Sequence, residues 1–568
     1  MPANRNQFSH YDNVPTLAMS RSRFPLSHTV KFSANVGELI PVDCWECLPG
    51  DTFRVRTNKV IRLQTLLAPI MDNLYVDFFA FYAPARILSD HWKNFYGESE
   101  RAWYPQTTYT VPTIESAGDH KFVQGSIADY LGIPPETDHL KVNALPFRMY
   151  AMIVNEFFRD QNLQDPIPVY TGDSMQTAAR DRSTLDSYAR GGLPWIAAKK
   201  HDVFTSCTPG PIKAATPVRI PDGFVNLQAP LIANSTLFNT LATGQNAAFW
   251  QTGSGNTSIS LNYSTTGGNI TAQTTGTNSA VRPLNLGIDT MSLAQSEGDF
   301  HNEVINGTIE QLRMAFQINK LLFRDMLGGS RYRELLRQHF NVVSPDASMQ
   351  IPQYIGGNRF PVIVHQIANT GESENAKLGN VGAMSVTTDS HEDFTFSCSE
   401  PGYIMVLAVM RYDHTYSQGL HRMWSKQTRY DFYWPELANI GNQPVYTKEV
   451  DCRYGNYTWT DGQGTVHEGN EVFGYQEAWY DYRYIPDRCS AEMRPGVSNT
   501  LASWHLGDYY ADQPRLSPDW IQEDKNNVDR ALAVTSSVAN QYWADVYFQV
   551  DATRPMPVYS IPGLADHM

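Results

Sequence analysis

The chain has 568 residues and a net charge of -14, with 42% of its residues hydrophobic and only 18% charged. That composition can bury a large core, so it excludes intrinsic disorder, and the acidity argues against a dedicated nucleic-acid condenser. At about 150 residues per domain, the length suits three or four domains, or one heavily embellished core.

Residues 1–28 have mixed polarity and no clean period, which predicts an extended arm. The opening residues also lack the apolar run of a secretory signal, so a chain made and kept in a cytoplasm is expected. Residues 1–33 carry Arg5, Arg21, Arg23 and Lys31 against Asp12, a net of +3, which makes the four cations candidates for contact with nucleic-acid phosphate. Strand-like sequence runs from about Thr29 to Arg62, broken at Pro41 and at the turn Leu48-Pro49-Gly50-Asp51. Within it, Cys44 and Cys47 have the CxxC spacing of a zinc half-site or a redox pair. The next cysteine is Cys207, so two half-buried strand residues are the expectation.

The stretch Leu74–Tyr82 is dense in β-formers and stops at Pro84, as a strand buried on most of both faces does. Phe147, Tyr150, Ala151, Val154, Phe157 and Phe158 then follow Pro146 at helical spacing. From Gly223 to Val281, 59 residues contain no Asp, Glu, Lys, Arg or His. Without cations this segment offers nothing to phosphate, and it reads as either a loose loop or a structured neutral projection.

A second helix is expected from Thr308, where Gln311 completes a capping box, to Gly328, placed to take the left-handed conformation. Ser330 can then cap a third, with Tyr332, Leu335, Leu336 and His339 in one stripe. The cations Arg313, Lys320, Arg324, Arg331, Arg333 and Arg337 of these helices suit phosphate contact or ion pairing equally. Strands are expected at Tyr403–Met410, more weakly at Pro361–Ile367, and at Tyr542–Val550, where apolar and polar residues alternate. Strands early and late with helices in the long gaps fit a β-fold carrying helical insertions better than βαβ units.

No phosphate-binding glycine loop, dinucleotide fingerprint, zinc-protease motif or nucleophile elbow occurs. His414 and His421, seven residues apart, read as structural, and Glu400, Asp413 and Glu436 are the carboxylates from which a glycosidase pair would be drawn. No catalytic residue, metal ligand or cofactor is therefore assigned. The aromatic blocks with Tyr430, Phe432, Tyr433, Trp434, Trp479 and Tyr482 suit core and subunit interface first, base stacking or sugar binding second. Residues 431–530 carry 17 Asp and Glu against 8 Lys and Arg, a net of -9, as a solvated surface or an acidic outer or contact face does.

Several blocks together resemble one family. They are LPGDTF (48–53), PIMDNLYVDFFAFYAPARI (69–87), NEFFRDQNLQDP (155–166), HDVFTSC (201–207), QLRMAFQINKLLFRDMLGGSRYRELLRQHFNVVSPDA (311–347), SQGLHRMWSKQTRYDFYWPELANIGNQPVYTKEV (417–450) and VFGYQEAWYDYRYIP (472–486). In this order they resemble the major capsid proteins of microviruses, small icosahedral phages with circular single-stranded DNA, and within these the gokushovirus branch. The resemblance implies a mainly β fold, an eight-stranded antiparallel jelly roll with long, partly helical insertions. It would follow an arm at 1–28 and include a helical insertion at 308–340 and a surface protrusion at 217–300. It further implies sixty copies in a T=1 virion shell, assembled in the host cytoplasm. The partners so implied are an internal scaffolding protein, a DNA pilot protein, a small basic DNA-binding protein, the packaged genome and a bacterial surface receptor. Asn256, Tyr263 and Asn269 of the neutral stretch become the candidates for host contact. A carbohydrate-binding all-β protein is the alternative that the residues alone leave open.

Overall fold

The computed structural model describes residues 20–99, 107–213, 247–250, 258–263, 270–275, 309–368, 381–454, 459–460, 466–467 and 471–559. The chain divides into two compact units, Met1–Lys213 with Leu322–Met568, and Ala214–Leu321.

The first unit is built on nine strands: β1 (Ser22–Pro25), β2 (His28–Ala34), β3 (Ile40–Cys47), β4 (Thr52–Leu63), β5 (Leu74–Pro84), β6 (Gln353–Pro361), β7 (Thr387–Ser397), β8 (Gly402–Tyr412) and β9 (Tyr542–Arg554). All pairings among them are antiparallel. One sheet runs β2-β9-β4-β7, with β1 also on β9, and the other runs β6-β5-β8-β3. Their facing sides share one core. Phe53, Val55, Ile61, Val546, Phe548 and Val550 come from the first sheet, and Val42, Val76, Phe78, Ile404, Val406 and Met410 from the second.

Alternation explains the first sheet. Along β9 the residues Tyr542, Ala544, Val546, Phe548, Val550 and Ala552 are buried while Trp543, Tyr547 and Gln549 are exposed, the period of two read from the sequence. The central strands of the second sheet, β5 and β8, are covered on both faces, hence their long apolar runs. Phe81, Ala83, Met405, Leu407 and Val409 point away from the shared core. They meet a second cluster that includes Leu145, Phe147, Met149 and Tyr150 of helix α1 (Leu145–Ile153). The Tyr150 hydroxyl ties this layer down, donating to the Leu39 carbonyl at 2.8 Å and accepting from the Trp195 N–H at 2.9 Å.

Several local expectations are corrected. Pro41 does not break a strand but lies inside β3, because β3 is an edge strand with an irregular register beside Pro41, where a missing N–H costs no ladder bond. Within the expected arm, only residues 20–28 are described, and there β1 pairs with the end of β9. The weak strand at Pro361–Ile367 is divided between the end of β6 and a strand Val364–Ala368. Helix α1 does not run on to Phe158 as one α-helix; Val154–Phe158 form a π-helical turn. After helix α2 (Ile309–Leu327) it is Gly329, not Gly328, that takes φ of 96°. Arg331 occupies the N-cap of helix α3 (Tyr332–Phe340), where its N–H donates to the Glu334 carboxylate, while the Ser330 hydroxyl donates to Asn162. Cys44 and Cys47 fall on opposite faces of β3, Cys44 against the α1 layer and Cys47 in the core between the sheets, which a shared ligand site would not allow.

In the second unit Ala247–Trp250, Ser258–Tyr263 and Ile270–Thr275 form an antiparallel sheet with the middle segment at its centre. Among the described residues, no helix is long and apolar enough to cross a membrane.

Candidate functional site

The aromatic blocks converge on one surface of the first unit. Short 3-10 helices at Arg422–Ser425, Arg429–Asp431 and Pro435–Leu437 carry the first block, and a turn after the strand Val472–Glu477 carries the second. The Asp431 carboxylate stiffens the first block by accepting the N–H groups of Thr428 at 2.6 Å and Gln427 at 3.0 Å, and these donors hold its pKa below the ordinary value. The Trp434 indole N–H donates to the Arg429 carbonyl at 3.0 Å, and the Arg429 guanidinium lies 4.8 Å over the Trp434 ring.

Trp479 is not at the surface. Only 5% exposed, it donates to the Leu437 carbonyl at 2.9 Å and meets Tyr433 edge to face at 5.6 Å, so it supports the patch from beneath. Lys426 pairs with buried Asp481 and lies 3.9 Å over the Tyr482 ring. Above this scaffold Tyr430, Phe432, Tyr433, Trp434 and Tyr482 are exposed, Tyr430 by 74%. Met423, Trp424, Ile440 and Ile485 extend the exposed apolar surface, and none of these four was singled out from the sequence. A cleft of about 440 Å³ opens beside them, with Tyr416, His421, Trp424, Tyr484, Ile485 and Arg494 in its walls. Exposed aromatics on a braced scaffold beside a cleft are features that protein–protein hot spots share.

The acidity of 431–530 is not simply solvated surface. Glu449, Asp451, Asp481, Asp508 and Glu523 are all buried. Asp508 faces Lys199 and His414, Glu523 takes the other ring nitrogen of His414, and Glu449 accepts the Tyr480 hydroxyl near Arg422. His414 is thus a buried structural ion, and His421 is a separate side chain that accepts the Met423 N–H. Glu400 pairs with Arg86 and Asp413 with Lys200, each carboxylate held by its own cation.

Of the phosphate-contact candidates, Arg5 lies outside the described residues. Arg23 forms a double hydrogen bond to Asp551 across β1 and β9, Lys31 pairs with Asp545 at 2.8 Å, and Arg21 is exposed beside Gly50. In the helical set, Arg331 donates to the carbonyls of Asn155 and Arg159, and Arg333 to that of Glu156, so these two clamp the π-helical turn. Of the host-contact candidates, Asn256 and Asn269 lie outside the described residues; Tyr263 ends its strand opposite Ile270.

The model of a family described as capsid protein (F protein) matches residues 12–564. Capsid protein VP1 of Chlamydia phage 1 is 34% identical over 600 residues, covering 99% of this chain and 98% of the relative. VP1 of Bdellovibrio phage phiMH2K is 34% identical over 561 residues, with 98% of each chain covered. VP1 of Spiroplasma virus 4 is also 34% identical, over 562 residues, covering 96% of this chain and 95% of the relative.

Proposed function

The chain belongs to the capsid protein (F protein) family, and from that premise we propose that sixty copies of it close into a T=1 icosahedral shell around a circular single-stranded DNA genome. It is a structural major capsid protein of a bacteriophage virion, not an enzyme, and its first partner is itself.

Each copy is an eight-stranded antiparallel jelly roll. The strand orders β2-β9-β4-β7 and β6-β5-β8-β3, with successive strands crossing between the sheets except at β5 to β6, support this reading. Such a sandwich carries long insertions without disturbing its core, here 85–352 between β5 and β6 and 413–541 between β8 and β9. The insertion after β8 bears the exposed aromatic patch, the single observation that best supports assembly through this chain's own surface. Around closed symmetry axes each contact repeats, so modest contact energies add to a stable particle. An internal scaffolding protein guides assembly in the host cytoplasm, and a pilot protein and a small basic protein accompany the genome.

The charge-free stretch 223–281 forms the surface protrusion and meets the bacterial receptor. Its lack of charge supports contact with a neutral surface such as glycan or protein, rather than with nucleic acid. Deleting residues 250–275 should leave shells of native size and abolish adsorption to the host, measured by counting unadsorbed phage. Particles that adsorb at the wild-type rate would remove the attachment role.

A further inference from the structure

The outward face of the first sheet carries features that a plain outer wall does not need. Along β9 it exposes Trp543 by 44% and Tyr547 by 40%, four residues and so about 13 Å apart. Trp543 lies directly opposite Arg62 of β4, Tyr547 opposite Asn58, Gln549 opposite Arg56 and Asp551 opposite Arg54. Arg54, Arg56, Asn58 and Arg62 are all exposed. Lys31 of β2, opposite Asp545, completes a depression of about 480 Å³ whose walls include Arg62 and Trp543.

The charge of this face runs against that of the chain. Arg23, Lys31, Arg54, Arg56 and Arg62 stand against Asp545, Asp551 and Glu392, five cations to three carboxylates, whereas the chain carries -14. Arg62 has no carboxylate partner among the described residues. The pairs Lys31–Asp545 and Arg54–Glu392 are exposed, and exposed pairs contribute so little stability that a phosphate can take the carboxylate's place at small cost. Flat rings at intervals, flanked by arginines and hydrogen-bonding Asn and Gln, suit a strand whose bases are splayed and whose backbone is anionic.

We propose that this sheet face is a single-stranded-DNA platform on which bases stack against Trp543 and Tyr547 while Arg54, Arg56 and Arg62 hold the phosphates. The proposal rests on the reading that the shell encloses single-stranded DNA, and it moves the main contact from the arm to the sheet. The face binds without regard to sequence, because every base offers a ring face and every phosphate the same charge.

The test is binding of a fluorescent 20-nucleotide oligo(dT) to the purified full-length chain across a salt series, with thermal melting as the folding control. The variant Trp543→Ala/Tyr547→Ala should melt as the wild type does and bind roughly tenfold or more weakly, with an unchanged salt slope. The variant Arg56→Gln/Arg62→Gln should flatten the slope by about 0.7 for each phosphate that is no longer neutralised, and Trp543→Phe should keep most of the affinity. Unchanged oligo(dT) affinity in Trp543→Ala/Tyr547→Ala overturns the platform. So does the same variant failing to form shells while binding oligo(dT) normally, since the face would then be a contact between copies. In either case the enclosed genome stands or falls separately, on whether wild-type particles hold nuclease-resistant single-stranded DNA.

Discussion

Replacing Asp508 by alanine should yield a chain that neither folds stably nor assembles. Asp508 is wholly buried and gathers groups from three other stretches of chain besides its own neighbour Tyr510. It faces His414 Nδ1 at 3.1 Å, and it accepts the Tyr510 hydroxyl at 2.9 Å, Asn527 Nδ2 at 2.9 Å, the Tyr412 hydroxyl at 3.3 Å and Lys199 Nζ at 3.5 Å. Glu523 balances the other side of the imidazole at 3.0 Å, and Lys199 lies 4.4 Å over the Trp520 ring. Removing the carboxylate strands an ammonium without a paired anion, and removing one partner of a buried ion pair costs about 3–5 kcal/mol. That is a large part of the roughly 5–15 kcal/mol that holds a typical domain together.

Urea unfolding of the variant at pH 6 should therefore show a midpoint far below wild type, or no cooperative transition; an unchanged midpoint would refute the cluster's role. The pH dependence follows from the same groups. Burial works against the charge on His414, but Asp508 and Glu523 outweigh it and raise its pKa from 6.5 to about 10. Burial pushes Asp508 up, but His414 and Lys199 hold it below its ordinary 3.8. A raised histidine stabilises fully below 6.5 and ceases to do so as pH rises through about 10; a depressed carboxylate stabilises above 3.8 and ceases to do so as pH falls. The stability difference between wild type and His414→Gln should thus be greatest between pH 4 and 6.5 and shrink towards pH 10.

The second large effect concerns assembly rather than folding. Trp424→Ala/Tyr430→Ala removes two rings that are 69% and 74% exposed in the single chain, so the monomer's melting temperature should be unchanged. If these rings are anchors between copies, their loss costs about 2 kcal/mol or more at each contact. That raises the concentration needed for each contact by about thirtyfold, and the penalty recurs at every equivalent contact of the shell. Velocity sedimentation of such a preparation should show slow material where wild type gives a fast, uniform boundary. Wild-type shells at wild-type concentration would show that the patch faces solvent in the particle. Trp479→Ala should behave differently, lowering the melting temperature itself, because that ring is packed under the patch.

What the sequence discloses follows from how local each cause is. Strand β9 is legible residue by residue because one face meets the core and the other does not. The runs in β5 and β8 show burial on both faces but not what covers them, since the α1 layer comes from another part of the chain. Pro41 misleads because its tolerance depends on β3 being an edge, a fact of sheet order. The Ser330 cap misleads because Asn162, remote in sequence, takes the hydroxyl. The Asp508 cluster is hidden for the same reason: its partners lie 94 residues away at His414 and 309 away at Lys199. In composition they leave only an acidic excess, which reads as surface. The exposed aromatics are legible as a block, but that Trp479 lies under the patch, and that Met423, Trp424, Ile440 and Ile485 extend it, are matters of packing. The sheet face with Trp543 and Arg62 alternates openly in the sequence, but only the β4–β9 register sets the ring beside the guanidinium.

The most direct measurement is the mass of the native particle from infected host by light scattering, before and after nuclease. Sixty chains of 64.0 kDa make about 3.8 MDa of protein. A uniform particle at or above that mass that retains single-stranded DNA through nuclease treatment is the result expected. Particles purified from host that contain only small oligomers of this chain, or shells whose nucleic acid is fully digested, would contradict it.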